Sequence, residues 1–140
     1  MIHWTDKFAT GDALIDSQHR MLISYINRLE ELSRITNPSR EQVEQFWAFI
    51  EFMEGYVKMH FQDEDACMYR TRCPAYQVNK KMHGEFLVFF RNFLQRLDAE
   101  GCRPAVVKEL YDYCSVWVQQ HILRIDTQLR LVMPTNSAKV

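Results

Sequence analysis

Four of the five histidines in this 140-residue chain could share one metal site. Each lies on the apolar stripe of a different long, helically periodic stretch of sequence. They are His19, His60, His83 and His121. A single histidine on an apolar face is more often a hydrogen-bonded core residue than a ligand. Four of them together indicate a common site, because each buried polar group without a partner costs about 1 to 3 kcal/mol.

A carboxylate accompanies the histidine of the second stretch. Glu64 follows His60 by four residues, so both side chains project from the same helical face about one turn apart. Glu64 also continues a buried stripe, where an unpaired carboxylate is unfavourable unless a cation compensates its charge. We therefore predict that Glu64 is a metal ligand, and we expect the neighbouring Asp63 and Asp65 to face solvent.

A second carboxylate, Asp126, is harder to place. It follows His121 by five residues, and on an ideal α-helix that spacing rotates it about 140° away from the histidine. Spacing alone therefore favours a surface position. Asp126 can point inward only if the helix widens locally, as in a π-bulge, or ends near Ile125.

Four helices are expected to position these residues. The first begins after Asp16 as N-cap and ends before Asn37-Pro38, and the second runs from about Arg40 to Tyr69. The third opens at Pro74 and ends at Glu100-Gly101. The fourth runs from Pro104 and frays near Pro134. Long helices with short connections predict an all-α, up-down-up-down four-helix bundle. We expect one domain over residues 1–140, with the first 15 residues as an irregular arm.

The composition excludes several classes of protein. Apolar residues make up 47% and charged residues 25%, and the formal net charge is −1, so nothing draws the chain to nucleic acid. No apolar run approaches the roughly 20 residues of a membrane span, and Asp6 and Lys7 interrupt the start where a signal peptide is apolar. We expect a cytoplasmic protein without a membrane partner. Its four cysteines lack CxxC spacing and are interpreted as reduced thiols.

Several separate motifs agree in order and spacing with a known family. They are Trp4, Phe8, Gly11, Ile15, Asp16, Gln18 and His19, then His60-Phe61 with Glu64, then Tyr76 with His83 and Phe86, then His121-Ile122 with Asp126. This run, over residues 4 to 126, resembles the hemerythrin family and in particular its single-domain bacterial members. The resemblance implies a bundle enclosing two iron ions that Glu64 and Asp126 bridge together with an oxo or hydroxo group.

The resemblance also implies roles for the histidines and a function. His19 and His60 would serve one iron, which keeps an open position for O2 or small anions, and His83 and His121 would serve the other. The implied function is reversible O2 binding, as carrier, store or sensor, without catalytic side chains and with any reductase partner unidentified. Candidate walls of a dry pocket around the irons are Trp4, Phe8, Phe61 and Phe86.

The chain departs from the family pattern at one position. Family members usually carry a further histidine one turn before the one matching His83, and here that residue is Asn79. Three outcomes follow: the second iron persists with water or Asn79 completing its ligands, which we favour, or it binds weakly, or a different cation takes its place. The alternative function is an O2- or peroxide-consuming or iron-handling protein with a partly occupied site. A helical interaction module without metal is a third interpretation.

Overall fold

A computed structural model describes residues 1–134 of the chain. Four α-helices account for most of them: α1 (Ala13–Leu32), α2 (Arg40–Arg70), α3 (Tyr76–Glu100) and α4 (Pro104–Arg124). Two short 3-10 segments, Asp6–Phe8 and Asp126–Leu131, flank this set, and residues 1–134 contain no strand. The prediction of an all-α protein with four helices is confirmed.

The helices form an antiparallel bundle. Helix α1 packs against α2 and α4, and α3 packs against both α2 and α4. The histidines that meet in the interior lie near the start of α1, the end of α2, the start of α3 and the end of α4. Because starts and ends alternate around one point, successive helices run in opposite directions, which confirms the up-down-up-down topology.

The bundle core is apolar over most of its length and polar at one end. Fully buried side chains such as Leu29, Ile50, Phe90 and Leu110 come from all four helices. Their burial removes apolar surface from water, which stabilises a bundle at roughly 25 cal/mol per Å². The same inward stripes carry the histidines and carboxylates at the other end, so the apolar part of the core fixes the positions of the polar part.

Helix α1 begins four residues earlier than the sequence suggested. Its N-cap is Asp12, whose side chain accepts a hydrogen bond from the Ile15 backbone N–H, and not Asp16. Asp16 instead accepts hydrogen bonds from the backbone and hydroxyl of Thr10, which attaches the N-terminal arm to the helix. The prediction was wrong because both aspartates are good N-cap residues, and the sequence does not show at which of them the backbone changes from extended to helical.

Three other helix boundaries also differ. Helix α1 ends at Leu32, five residues before Asn37, which has a left-handed φ of 49°. Pro74 lies in the turn before α3 and not in its first turn. Helix α4 ends at Arg124, ten residues before the predicted fraying at Pro134, and a 3-10 segment follows. Gly101 caps α3 with a φ of 87°, as expected.

No helix within residues 1–134 combines the length and the apolar character needed to cross a membrane. The four cysteines are free, and Cys67, Cys73 and Cys114 are buried.

Helix α2 starts with a capping box that offers a stability test. The Ser39 hydroxyl accepts from the Gln42 backbone N–H, and the Gln42 side chain accepts from the Ser39 N–H. Ser39→Ala should therefore lower the free energy of unfolding by about 1 kcal/mol in urea titrations. The matched control is Ser17→Ala, because Ser17 is exposed inside α1, where alanine is the better helix former. An equal loss in both variants would contradict the capping role.

Candidate metal centre

Six side chains meet at the polar end of the bundle. They are His19 from α1, His60 and Glu64 from α2, His83 from α3, His121 from α4 and Asp126 from the segment after α4. All six are buried, with at most 3% of their surface exposed. Their ligand atoms fall into two groups, and within each group these atoms lie within 4.8 Å of one another: His19 with His60 and Glu64, and His83 with His121, Glu64 and Asp126.

Glu64 lies between the two groups. Its Oε2 is 2.9 Å from Nε2 of His19 and 3.4 Å from Nε2 of His60. Its Oε1 is 3.1 Å from Nε2 of His83. One carboxylate oxygen therefore faces each group, which is the arrangement that a bridge between two cations requires.

Asp126 repeats this arrangement from the opposite side. Its Oδ2 is 3.2 Å from Nε2 of His19, and its Oδ1 is 3.1 Å from Nε2 of His121. The side chain reaches the interior because α4 ends at Arg124, and Asp126 then opens a tighter 3-10 turn. Of the two routes inward that the sequence left open, the helix end near Ile125 is the one that the structure shows.

The donor atoms of this cluster fit bound cations. Glu64 Oε1, His83 Nε2 and Asp126 Oδ1 are buried and have no hydrogen-bond partner. Such atoms are costly to bury unless something else satisfies them. Adjacent donors bound to one metal ion at roughly 2.1 Å lie about 3.0 to 3.4 Å apart. Four of the histidine–carboxylate distances above lie in that range, and the fifth, between His19 and Glu64, is 2.9 Å. The residues present therefore suit two metal ions bridged by two carboxylates.

A hydrogen-bonded chain that the sequence reasoning missed orients His60. The Nδ1 of His60 donates to Oε1 of Gln18 at 2.7 Å, and the Gln18 amide donates to Asp63 at 2.7 Å. This leaves Nε2 of His60 free to face Glu64. Asp63 was expected to face solvent, but it is half-buried, so that prediction was wrong. Such outer partners fix the tautomer and direction of a metal-binding histidine.

Asp65 plays the same part for His83, and its predicted solvent exposure was also wrong. Its side chain is 22% exposed, and Oδ1 accepts from Nδ1 of His83 at 3.1 Å. Asp63 and Asp65 flank Glu64, so on the helix each is rotated about 100° to one side of it. That rotation aims one carboxylate at α1 and the other at α3. The position of both aspartates beside Glu64 is the sequence signal for these contacts.

Two histidines hold protons in the metal-free protein. For His19, burial opposes protonation, but hydrogen bonds to Asp126 and Glu64 outweigh it and raise its pKa to about 10. For His83, burial is likewise outweighed by Asp65 and Glu64, and its pKa rises to about 9. Burial alone would raise the pKa of Glu64, but the neighbouring imidazoles of His19, His60 and His83 hold that pKa well below the ordinary value.

These pKa values predict that metal uptake releases protons. Near pH 7 both His19 and His83 are charged, and a metal ion at either Nε2 must displace the proton there, so about two protons or more should leave each chain. Both histidines gain protons as pH falls, and protons compete with the metal. Metal affinity should therefore rise with pH until the pH exceeds the pKa of His83, about 9, and that of His19, about 10. Calorimetric titrations in buffers of different ionisation enthalpy measure the release. Uptake without proton release near pH 7 would contradict this charge assignment.

Aromatic rings cover the cluster on the side of the apolar core. The Phe61 ring stacks on His83 at 3.7 Å between centroids, and Trp117 stacks on His121 at 4.4 Å. One helical turn deeper lies an apolar cavity of about 10 Å³, lined by Phe61, Phe86 and Trp117 among others. Of the predicted wall residues, Phe61 and Phe86 line this cavity. Trp4 and Phe8 do not, and they pack against each other at 5.7 Å in the N-terminal arm.

Other candidate donors lie apart from the cluster. His3 is exposed in the arm. Cys67, one turn beyond Glu64, belongs to neither ligand group, and its thiol lies 3.9 Å from Oδ2 of Asp12.

Comparison with known proteins agrees with this geometry. A model of the hemerythrin HHE cation binding domain matches residues 10–130. A bacteriohemerythrin of Clostridium acetobutylicum is 23% identical over 129 residues, which cover 91% of this chain and 98% of that protein. A myohemerythrin of Sipunculus nudus is 27% identical over 123 residues, or 88% of this chain and 86% of that protein. A bacteriohemerythrin of Pseudomonas aeruginosa is 27% identical over 126 residues, which cover 88% of this chain and 75% of that protein.

Proposed function

This chain belongs to the hemerythrin family, and we propose that it is a non-haem iron protein that binds O2 reversibly at a carboxylate-bridged diiron centre, as carrier, store or sensor. The observation that carries the proposal is the position of Glu64 and Asp126. Each directs one oxygen to the His19 side of the cluster and the other to the His83–His121 side. We propose the six residues of the cluster as the metal ligands and the chain as a single metal-binding domain.

The protein's own residues divide the work around such a centre. An iron pair would supply two redox-active ions with a position open to O2. The stacked rings of Phe61 and Trp117 keep water from the histidines, and the cavity beside them is lined only by apolar side chains. Gln18 and Asp65 hold the directions of His60 and His83.

The test is the visible spectrum of the iron-loaded protein during cycles of O2 exposure and removal. A carrier, store or sensor should hold two irons per chain and show an absorption band that forms with O2 and disappears under vacuum over repeated cycles. A protein that loads two irons but gives no reversible band would contradict the proposal.

A second candidate function rests on Asn79, which replaces a histidine usual in the family. In this alternative the protein consumes O2 or peroxide, or handles iron, because the missing imidazole leaves a second open position on the metal. Rapid oxidation of the ferrous protein in air, with repeated turnover of added peroxide, would favour it over reversible binding.

A further inference from the structure

The buried amide of Asn79 reaches into the candidate metal centre. Asn79 is fully buried, and its Oδ1 lies 2.7 Å from Nε2 of His121. That nitrogen is the one that also faces Asp126 at 3.1 Å. Asn79 therefore points at the His83–His121 group although it belongs to neither set of histidine and carboxylate ligands.

The direction of the amide is fixed by Asp65. Nδ2 of Asn79 donates to Oδ1 of Asp65 at 3.0 Å, and the same oxygen accepts from Nδ1 of His83 at 3.1 Å. A carboxylate only accepts, so the NH2 side of the amide must face Asp65 and the carbonyl must face inward. Asn79 and His83 lie one turn apart on α3, so a single acceptor on α2 orients both side chains.

The hydrogen bond between His121 and Asn79 shows which ring nitrogen of His121 carries its proton. An amide oxygen is only an acceptor, so His121 Nε2 carries the proton in the metal-free protein. Oδ1 of Asp126 and Oε1 of Glu64 face the same group and have no hydrogen-bond partner. A cation bound to His121 at Nε2 would require this proton to move to Nδ1, and the Asn79 oxygen is already directed toward the position that the cation would take.

We propose that Asn79 Oδ1 is a metal ligand of the His83–His121 position, and that it weakens the preference of this position for Fe²⁺ over Mn²⁺. This inference rests on the proposed function. Oxygen donors suit Mn²⁺, whereas imidazoles suit iron, and in general Mn²⁺ binds such sites more weakly than Fe²⁺ does. An amide oxygen in place of an imidazole therefore reduces the difference between the affinities of the site for Fe²⁺ and for Mn²⁺. The charge of the site is unchanged, because both groups are neutral ligands.

The experiment uses metal-free full-length protein titrated anaerobically with Fe²⁺, with Mn²⁺, and with equal amounts of both, followed by metal analysis of the washed protein. Asn79→Ala should lower affinity at one position by about 10-fold or more and leave the other position occupied. Asn79→His should raise the ratio of bound iron to bound manganese above that of the wild type. Asn92→Ala is the matched control, because Asn92 is exposed on the same helix.

The outcomes separate this inference from the proposed function. If the wild type binds no metal, the proposed function fails, and the inference fails with it. If the wild type binds two ions and Asn79→Ala binds both with unchanged affinity, the ligand role of Asn79 is overturned while the diiron proposal stands. If Asn79→His leaves the iron to manganese ratio unchanged, the selectivity argument is overturned. Circular dichroism of each variant establishes that it is folded before its metal content is compared.

Discussion

Replacing Glu64 by alanine is expected to abolish binding at both metal positions. Glu64 faces His19 and His60 with one oxygen and His83 with the other, so its loss removes a donor from each position. Removing even an outer partner of a metal ligand commonly costs 10- to 100-fold in affinity, so loss of the proposed bridging ligand should cost more than about 100-fold. Metal content per chain, measured by mass spectrometry after anaerobic loading and washing, gives the result directly.

Two further variants control this experiment. Glu51→Ala removes an exposed glutamate from the same helix and should keep the wild-type metal content. Glu64→Gln preserves the shape of the side chain but not its charge, so it should bind less metal while remaining folded. Wild-type metal content in Glu64→Ala would show that the carboxylate is not a bridge.

Removing the metal ions should lower the melting temperature by about 10 °C or more. Without them, Glu64 Oε1, His83 Nε2 and Asp126 Oδ1 are buried without a hydrogen-bond partner, and each such atom costs about 1 to 3 kcal/mol. For a domain of this size, 1 kcal/mol corresponds to roughly 3 to 4 °C. Ions that bind only the folded chain add stability by mass action. Differential scanning calorimetry of loaded and chelated protein provides the comparison.

Reloading distinguishes metal loss from damage. Anaerobic addition of Fe²⁺ to the chelated protein should restore the original melting temperature. Identical melting temperatures for the loaded and metal-free protein would mean that the cluster is satisfied without cations.

The bundle and most of the cluster could be predicted because both follow helical periodicity. Apolar residues and histidines share one inward stripe on each helix, so His19, His60, His83 and His121 could be placed on inner faces from spacing alone. Glu64 followed from the same stripe. These features depend only on the geometry of a regular helix, which the sequence pattern reflects directly.

The features that residue spacing alone did not settle lie where the helix is irregular or where a neighbouring helix decides the contact. Asp126 turns inward because α4 ends at Arg124 and a 3-10 segment follows. The spacing of residues on a regular helix does not indicate where that helix ends. Asp63 and Asp65 are half-buried because α1 and α3 offer them Gln18 and His83 as partners. Such contacts depend on how helices pack side by side, which the periodicity of one helix does not determine.

Anomalous diffraction from crystals of the iron-loaded protein, recorded at the iron absorption edge, tests most directly whether this cluster holds two metal ions. We expect two anomalous peaks inside the bundle, one beside His19 and His60 and the other beside His83 and His121, with Glu64 and Asp126 between them. Iron peaks found elsewhere, or no iron inside the bundle, would contradict the assignment of the cluster as a dinuclear metal centre.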